Sequence, residues 1–230
     1  MSLRVLNNTP TISEQEDHVG GLSNPSKMPG HGWSISAFHC NVGSKLRHVP
    51  GSTCSHCYAM KGRYTFSTTQ NAHENRLNAY NKNPELWKQR MTDILNRKAE
   101  NKKRLAKKKA RRTKKKCEDY TVYFRWFDSG DLQSLDMLLH INDIAHATPG
   151  VAHWLPTRQY KEVRQFRKLI DKGEVNLAPN LVIRVSSAMV NSHQRKRFGF
   201  NSSSVFSKRT RSKNVCDASE RQGQCGDCRK

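Results

Sequence analysis

Polar and apolar positions change their period several times along the chain, and each change marks a new element. Residues 1–30 are polar and punctuated by Pro10, Gly20, Gly21, Pro25, Pro29 and Gly30, which predicts an extended N-terminal arm with little structure of its own. Trp33-Ser-Ile-Ser-Ala-Phe38 alternates and predicts a first strand. Ser67 to Asn81 predicts a helix. A second helix starts at Pro84, whose missing N–H costs nothing in a first turn. Leu86, Trp87, Met91, Ile94 and Leu95 fall at helical spacing and give it a buried stripe. The Lys/Arg-rich stretch that follows either prolongs this helix or is disordered, because like charges four residues apart oppose helix formation until an anion neutralises them.

Beyond residue 120 the pattern becomes regular. Thr121–Phe127 is rich in β-formers and predicts a buried strand. Leu132–Ala147 predicts a helix through Leu135, Leu138, Leu139, Ile141 and Ile144. Val151–Leu155 is a short strand, Gln159–Asp171 a helix closed by Gly173, and Leu181–Val185 the next strand. Strand, helix, strand, helix, strand at this spacing is the βαβ pattern of a parallel sheet, and the first strand brings the count to at least four. The expectation is an α/β fold: one βα domain over residues 31–190 interrupted by a basic insert at 102–116, followed by a basic, cysteine-rich segment over 191–230. Apolar runs of only a few residues exclude a membrane span. No apolar h-region precedes Pro10, so a cytoplasmic location is expected, the host cytoplasm if the protein is viral.

Charge changes the picture. The 230 residues hold 41 Lys+Arg against 19 Asp+Glu, a net +22. The densest run comprises Lys102, Lys103, Arg104, Lys107, Lys108 and Lys109, then Arg111, Arg112, Lys114, Lys115 and Lys116. A second cluster begins at Arg195, Lys196 and Arg197, with Phe198, Phe200 and Phe206 interleaved. A solvated tail is the plain reading of such a run. At this density the stronger expectation is a polyanion partner, either DNA or RNA or a nucleic-acid-bound complex such as a polymerase.

Seven cysteines in a reducing compartment point to metal or redox chemistry before disulfides. Cys40, Cys54 and Cys57 form one group. Cys216, Cys225 and Cys228 form another, and Cys117 stands alone. A Cys-x2-Cys pair brings two sulfurs to one side of a tight turn. Zinc wants four closed ligands, which Cys54, Cys57, Cys225 and Cys228 would supply, with His39 and His56 as further candidates. Two groups of three suggest instead a 4Fe-4S cluster, since a cubane held by three thiolates leaves one iron open.

Ser34-Ile-Ser-Ala-Phe-His-Cys40-Asn41 and Cys54-Ser-His-Cys57-Tyr58-Ala59 resemble the first strand and cluster loop of radical SAM enzymes, although their first cysteine gap is 3 residues and here it is 13. A closer resemblance is to the gene product 88 family of phage proteins. It rests on Pro50-Gly51-Ser52…Cys54…Cys57-Tyr58-Ala59, Lys61-Gly62-Arg63-Tyr64, Phe124-Arg125-Trp126…Asp128-Ser129-Gly130-Asp131 and Gln224-Cys225-Gly226-Asp227-Cys228-Arg229. The resemblance implies a partial, radical-SAM-like βα barrel with an Fe–S cluster more firmly than it implies a reaction. In such a barrel, side chains after parallel strands share one mouth. Ser129, Gly130 and Asp131 would meet the ammonium of S-adenosylmethionine and Ser186 a ribose hydroxyl, while Arg158 would pair with a carboxylate or phosphate. Capping roles for Asp131 and Thr157 are equally open. Three readings follow: a nucleic-acid-binding protein whose cluster is mainly structural, a radical SAM-type enzyme acting on nucleic acid or nucleotide, and a zinc-stapled nucleic-acid-binding protein or nuclease using Asp128 and Asp131.

Overall fold

The computed structural model describes residues 11–114, 120–192, 196–208 and 215–225. Five strands form one sheet: β1 (His31–Trp33), β2 (Val122–Trp126), β3 (Val151–Thr157), β4 (Leu181–Ser186) and β5 (Asn201–Ser203). All neighbours are parallel, and the order across the sheet is the order along the chain. Crossovers of one hand then carry the helices over the same face, and the sheet curls into a partial βα barrel. Burial follows suit. Val122, Phe124 and Trp126 of β2, and Val151, His153, Leu155 and Thr157 of β3, face the helices and are buried, while the alternate residues are only half-buried.

The helices are α1 (Ile12–His18), α2 (Asn41–Leu46), α3 (Ser67–Lys82), α4 (Pro84–Thr113), α5 (Leu135–Ala147) and α6 (Tyr160–Asp171). The Asn83 side chain caps α4 by accepting from the Leu86 N–H, and Trp87, Met91, Ile94 and Leu95 are its buried stripe. Trp87 packs edge-on against Trp33 and Tyr80, with ring centroids 5.1 and 5.0 Å apart, and Trp126 closes the cluster. Ser134 caps α5, whose Leu138, Ile141 and Ile144 are buried as the periodicity predicts. The basic run is helical through Thr113, and α4 closes at Lys114 in the left-handed conformation.

Three features depart from the sequence expectations. The supposed arm carries α1, closed by a capping box between Thr11 and Glu14. Val19 after it is fully buried and its carbonyl accepts from Trp33 Nε1 at 2.9 Å, so a long-range bond to β1 orders a segment whose own composition is turn-like. The first strand lies at 31–33, earlier than expected. The chain beyond it turns away, with Ser34 Oγ bonded to Asp128 and Ile35 N–H donating to the Ser129 carbonyl. β5 extends the sheet past residue 190 although Asn201–Ser203 contains no β-former. It pairs with β4 in register Arg184↔Asn201 to Ser186↔Ser203, and buried Phe200, stacked near Phe166, holds it there. Among the described residues no helix is long and apolar enough to cross a membrane.

His153 is locked neutral inside this core. Its Nδ1 accepts from Trp126 Nε1 at 3.2 Å, and Nε2 lies 2.8 Å from Thr148 Oγ1, which itself donates to the Ile144 carbonyl, so Nε2 is the protonated nitrogen. Burial lowers its pKa from 6.5 to about 3. Above pH 6.5 both folded and unfolded states are neutral there. As pH falls below 6.5 the unfolded chain takes up a proton that the folded chain refuses, so stability falls towards pH 3. Burial depresses His31 and His73 in the same direction. His153→Asn is expected to flatten the pH dependence of unfolding free energy between pH 6.5 and 5, by up to about 1.4 kcal/mol per pH unit. Urea titrations across that window check this, and an unchanged slope would show that His153 already titrates in the folded state.

Candidate functional site

The exits of β1 to β4 enclose a cavity of about 210 Å³ into which Cys40, Cys54 and Cys57 all face. Two strand ends position these thiols. Cys40 follows β1, after a short 3₁₀ turn that Ser36 caps. Cys54 and Cys57 are fixed from the far side. Thr53 N–H donates to the Ala188 carbonyl at 2.8 Å, Thr53 Oγ1 to the Ser187 carbonyl at 2.9 Å, and Val190 N–H to the Gly51 carbonyl at 2.9 Å. The 13 residues between Cys40 and Cys54 are therefore a bridge: α2 and the turn after it carry the chain from β1 across the mouth to β4. Gly43 in that bridge sits so close that a Cβ there would lie 2.9 Å from the Cys40 Cβ, with the Cys40 and Cys54 sulfurs within 4 Å.

Arginines surround the thiols. Arg47, Arg125 and Arg158 line the cavity; Arg47 donates to the Ala37 carbonyl and Arg158 Nε to the Ser187 carbonyl at 3.0 Å. Burial pushes the Cys40 thiol up to about 12, with Asp131, Cys57 and Cys54 adding to the shift and Arg47 opposing it. Burial also raises the Cys54 thiol against the pull of Arg158. Burial thus favours the protonated forms of Cys40 and Cys54, and a bound metal centre would invert that balance.

The Asp128–Asp131 turn forms one wall. Gly130 needs its positive φ of +77°, and a Cβ there would meet Ile35 Cγ1 at 2.3 Å. Asp128 accepts from Ser34 and from Tyr64, the latter at 2.8 Å. Asp131 accepts from Thr157 Oγ1 at 2.6 Å, Arg158 N–H at 2.8 Å and Leu132 N–H at 2.8 Å, and so ties the exits of β2 and β3 together. It does not cap α5, a role that falls to Ser134. Thr157 accepts from Gln159 N–H just before α6. Ser129 Oγ is buried in the cavity wall with no hydrogen-bond partner, and Ser186 Oγ accepts from Ser203.

The structure therefore brings Cys40, Cys54 and Cys57 together with Ser129, Gly130, Asp131, Arg158 and Ser186. Of the second cysteine group, it does not bring the described members Cys216 and Cys225 to them. Cys216 is exposed and Cys225 lines a different cavity, its N–H bonded to the Lys27 carbonyl. Neither candidate histidine faces the thiols: His39 pairs with Glu74 at 2.7 Å and His56 is exposed. Among the described residues no three His, Cys, Asp or Glu side chains are grouped tightly enough to hold one metal ion. Sequence reasoning gave no role to Arg47, Arg125, Tyr58 or Tyr64, although Tyr58, Tyr64 and Arg125 stand inside the stretches that carry the family resemblance.

The nucleic-acid candidates lie elsewhere. Lys102, Lys103, Arg104, Lys107, Lys108, Lys109, Arg111, Arg112 and Lys114 are exposed on the last turns of α4. Lys102 Nζ donates to the Thr121 carbonyl, which places this end of the helix beside the start of β2. At about 3.3 Å per residue, β2 separates it from the thiol cavity by ~20 Å. Lys196 is exposed, whereas the Arg197 guanidinium stacks 4.4 Å from the Tyr160 ring centroid. Lys115, Lys116, Arg195 and Cys228 lie outside the described residues.

A family model described as gene product 88 matches residues 10–229. Comparison with curated proteins and with solved structures finds no match.

Removing the Asp131 carboxylate leaves one hydroxyl and two backbone N–H groups buried without an acceptor. Asp131→Ala is expected to destabilise the fold by about 3 kcal/mol, read as a melting temperature lower by ~6–12 °C. Thermal unfolding of the two chains checks this. An unchanged melting temperature would mean that the β2 and β3 exits are held without it.

Proposed function

The chain belongs to the gene product 88 family, and we propose that it is an iron–sulfur protein that binds nucleic acid, with the cluster and the nucleic acid at opposite ends of one sheet. The observation that carries the first half is the convergence of Cys40, Cys54 and Cys57 on a single cavity. The donor set is three thiols and no histidine. A lone zinc ion wants a closed tetrahedral set of four with sulfurs about 2.3 Å from the metal, and the described residues offer neither the fourth ligand nor the tight grouping. A 4Fe-4S cluster spreads its ligands around a volume and takes three thiolates with one iron left open. Arg47, Arg125 and Arg158 would offset its negative charge. When bound it supplies redox capacity and a Lewis-acidic iron. With Cys216 and Cys225 away from this cavity, the cluster stiffens the β1-to-β4 bridge.

The second half rests on charge and exposure. The α4 extension is a cationic helix that the protein core does not neutralise, and phosphates relieve the repulsion along it.

A specific observation also favours S-adenosylmethionine as a ligand of the same cavity: the buried, unpartnered Ser129 Oγ beside Gly130, Arg158 and Ser186. Asp131 contributes little to that reading, because its oxygens already serve Thr157, Arg158 and Leu132. The nuclease reading loses its carboxylates, since Asp128 and Asp131 are both consumed in structural hydrogen bonds.

Anaerobically purified protein is expected to hold about four irons and four acid-labile sulfides per chain. Cys54→Ser should lower both, and Cys216→Ser should leave them unchanged. Zinc without sulfide would overturn the cluster. Replacing Lys107, Lys108, Lys109, Arg111 and Arg112 with Gln should weaken duplex binding and lower the salt slope by roughly 0.9 per lost phosphate contact, with iron content unaltered. A salt dependence that survives the five substitutions would mean that α4 does not touch the backbone.

A further inference from the structure

The face of the sheet opposite the helices holds a second cavity of about 260 Å³. It opens over the starts and middles of β2, β3 and β4, not at their exits. Tyr123 and Arg125 of β2, Trp154 of β3 and Val182 of β4 form its floor, and Met28 and Pro29 form one wall. Among the described residues no acidic side chain and no lysine lines it.

Two donors in this lining are unused. Arg125 Nε is buried and makes no hydrogen bond, and Trp154 Nε1 is buried and makes none either. Their side chains are coupled, the guanidinium lying 4.6 Å from the Trp154 ring centroid. The remaining partners of Arg125 are weak. Its Nη1 reaches the Met28 thioether at 2.9 Å, and its guanidinium also hydrogen-bonds the neutral Tyr58 hydroxyl. Among the described residues no carboxylate pairs with it. A buried donor without an acceptor carries the full desolvation cost of the group. A guanidinium without a carboxylate partner carries more, unless another anion occupies the space in front of it.

We propose that this inner-face cavity binds a small organic anion, an oxyanion carried on a ring-sized apolar body. The oxyanion, carboxylate or phosphate, accepts from Arg125 Nε and Trp154 Nε1. The apolar body lies against Met28, Pro29, Tyr123 and Val182. The volume lies just below the ~300–1,000 Å³ of common small-molecule sites, which limits the ligand to about one ring and one anionic group. This site is separate from the thiol cavity, although Arg125 borders both. The proposal does not depend on the cluster or on nucleic-acid binding.

Benzoate, phenyl phosphate and inorganic phosphate serve as probes, titrated into the full chain by calorimetry and by observation of the indole N–H resonances. Benzoate or phenyl phosphate is expected to bind saturably and to shift one indole N–H resonance, the one missing in Trp154→Phe. Whichever ring-bearing probe binds more tightly identifies the anion as carboxylate or phosphate. Inorganic phosphate should bind at least about tenfold more weakly, because it lacks the apolar body. Trp154→Phe keeps the ring and removes the donor, and should weaken binding about tenfold. Val182→Phe fills the cavity without touching either donor and should abolish binding, with unchanged far-ultraviolet circular dichroism showing that the fold persists. The absence of saturable binding by either ring-bearing probe would assign the two donors to water and overturn the proposal. So would binding that survives both Trp154→Phe and Val182→Phe.

Discussion

A parallel sheet whose strands follow one another in chain order receives its helices on one face only, and the rest of this molecule answers that constraint. The helix-covered face carries Trp33, Trp126, Leu155 and Ile183, with Trp87, Met91 and Ile141 packed over it. Among the described residues no helix covers the opposite face. Irregular chain does the work instead: Met28 and Pro29 approach β2, and Cys225 is bonded to Lys27 beside them. Irregular chain covers a surface less completely than a helix, and a cavity remains.

The strand exits meet the same difficulty. Their carbonyls and polar side chains end together, and something must span them. The bridge from Cys40 to Cys54 does so, leaving β1 and docking on the segment after β4 through Thr53 and Gly51. Asp131 joins β2 to β3 beneath it. The thiols meet because this bridge is anchored at both ends, not because they are close in sequence. Arg47 and Arg158 in the same cavity pull against the burial that pushes the Cys40 and Cys54 thiols up, without overcoming it.

Separation along the strands then divides the surface. The basic turns of α4 project beside the start of β2, and the thiol cavity lies past its end. A long polyanion held on α4 does not thereby reach the thiols.

Much of this was legible in the residues. The stripe Trp87, Met91, Ile94 and Leu95, the alternation in β2 and β3, and the spacing of strands and helices after residue 120 are local patterns, and local patterns specify local structure. The grouping of Cys40 with the Cys54-x2-Cys57 pair was also readable. What the sequence left open depended on pairing across distance. The turn-rich first segment became a helix because Val19 received a bond from Trp33. The polar Asn201–Ser203 became a strand because β4 presented an unpaired edge. Asp131 exchanged a helix cap for a bond to Thr157 once β2 and β3 stood side by side. Periodicity records which face of an element is buried, but only the tertiary structure decides which backbone edge and which carboxylate find a partner. That choice rests on groups close in space and far apart in the chain, whose desolvated hydrogen bonds must be satisfied wherever folding brings them.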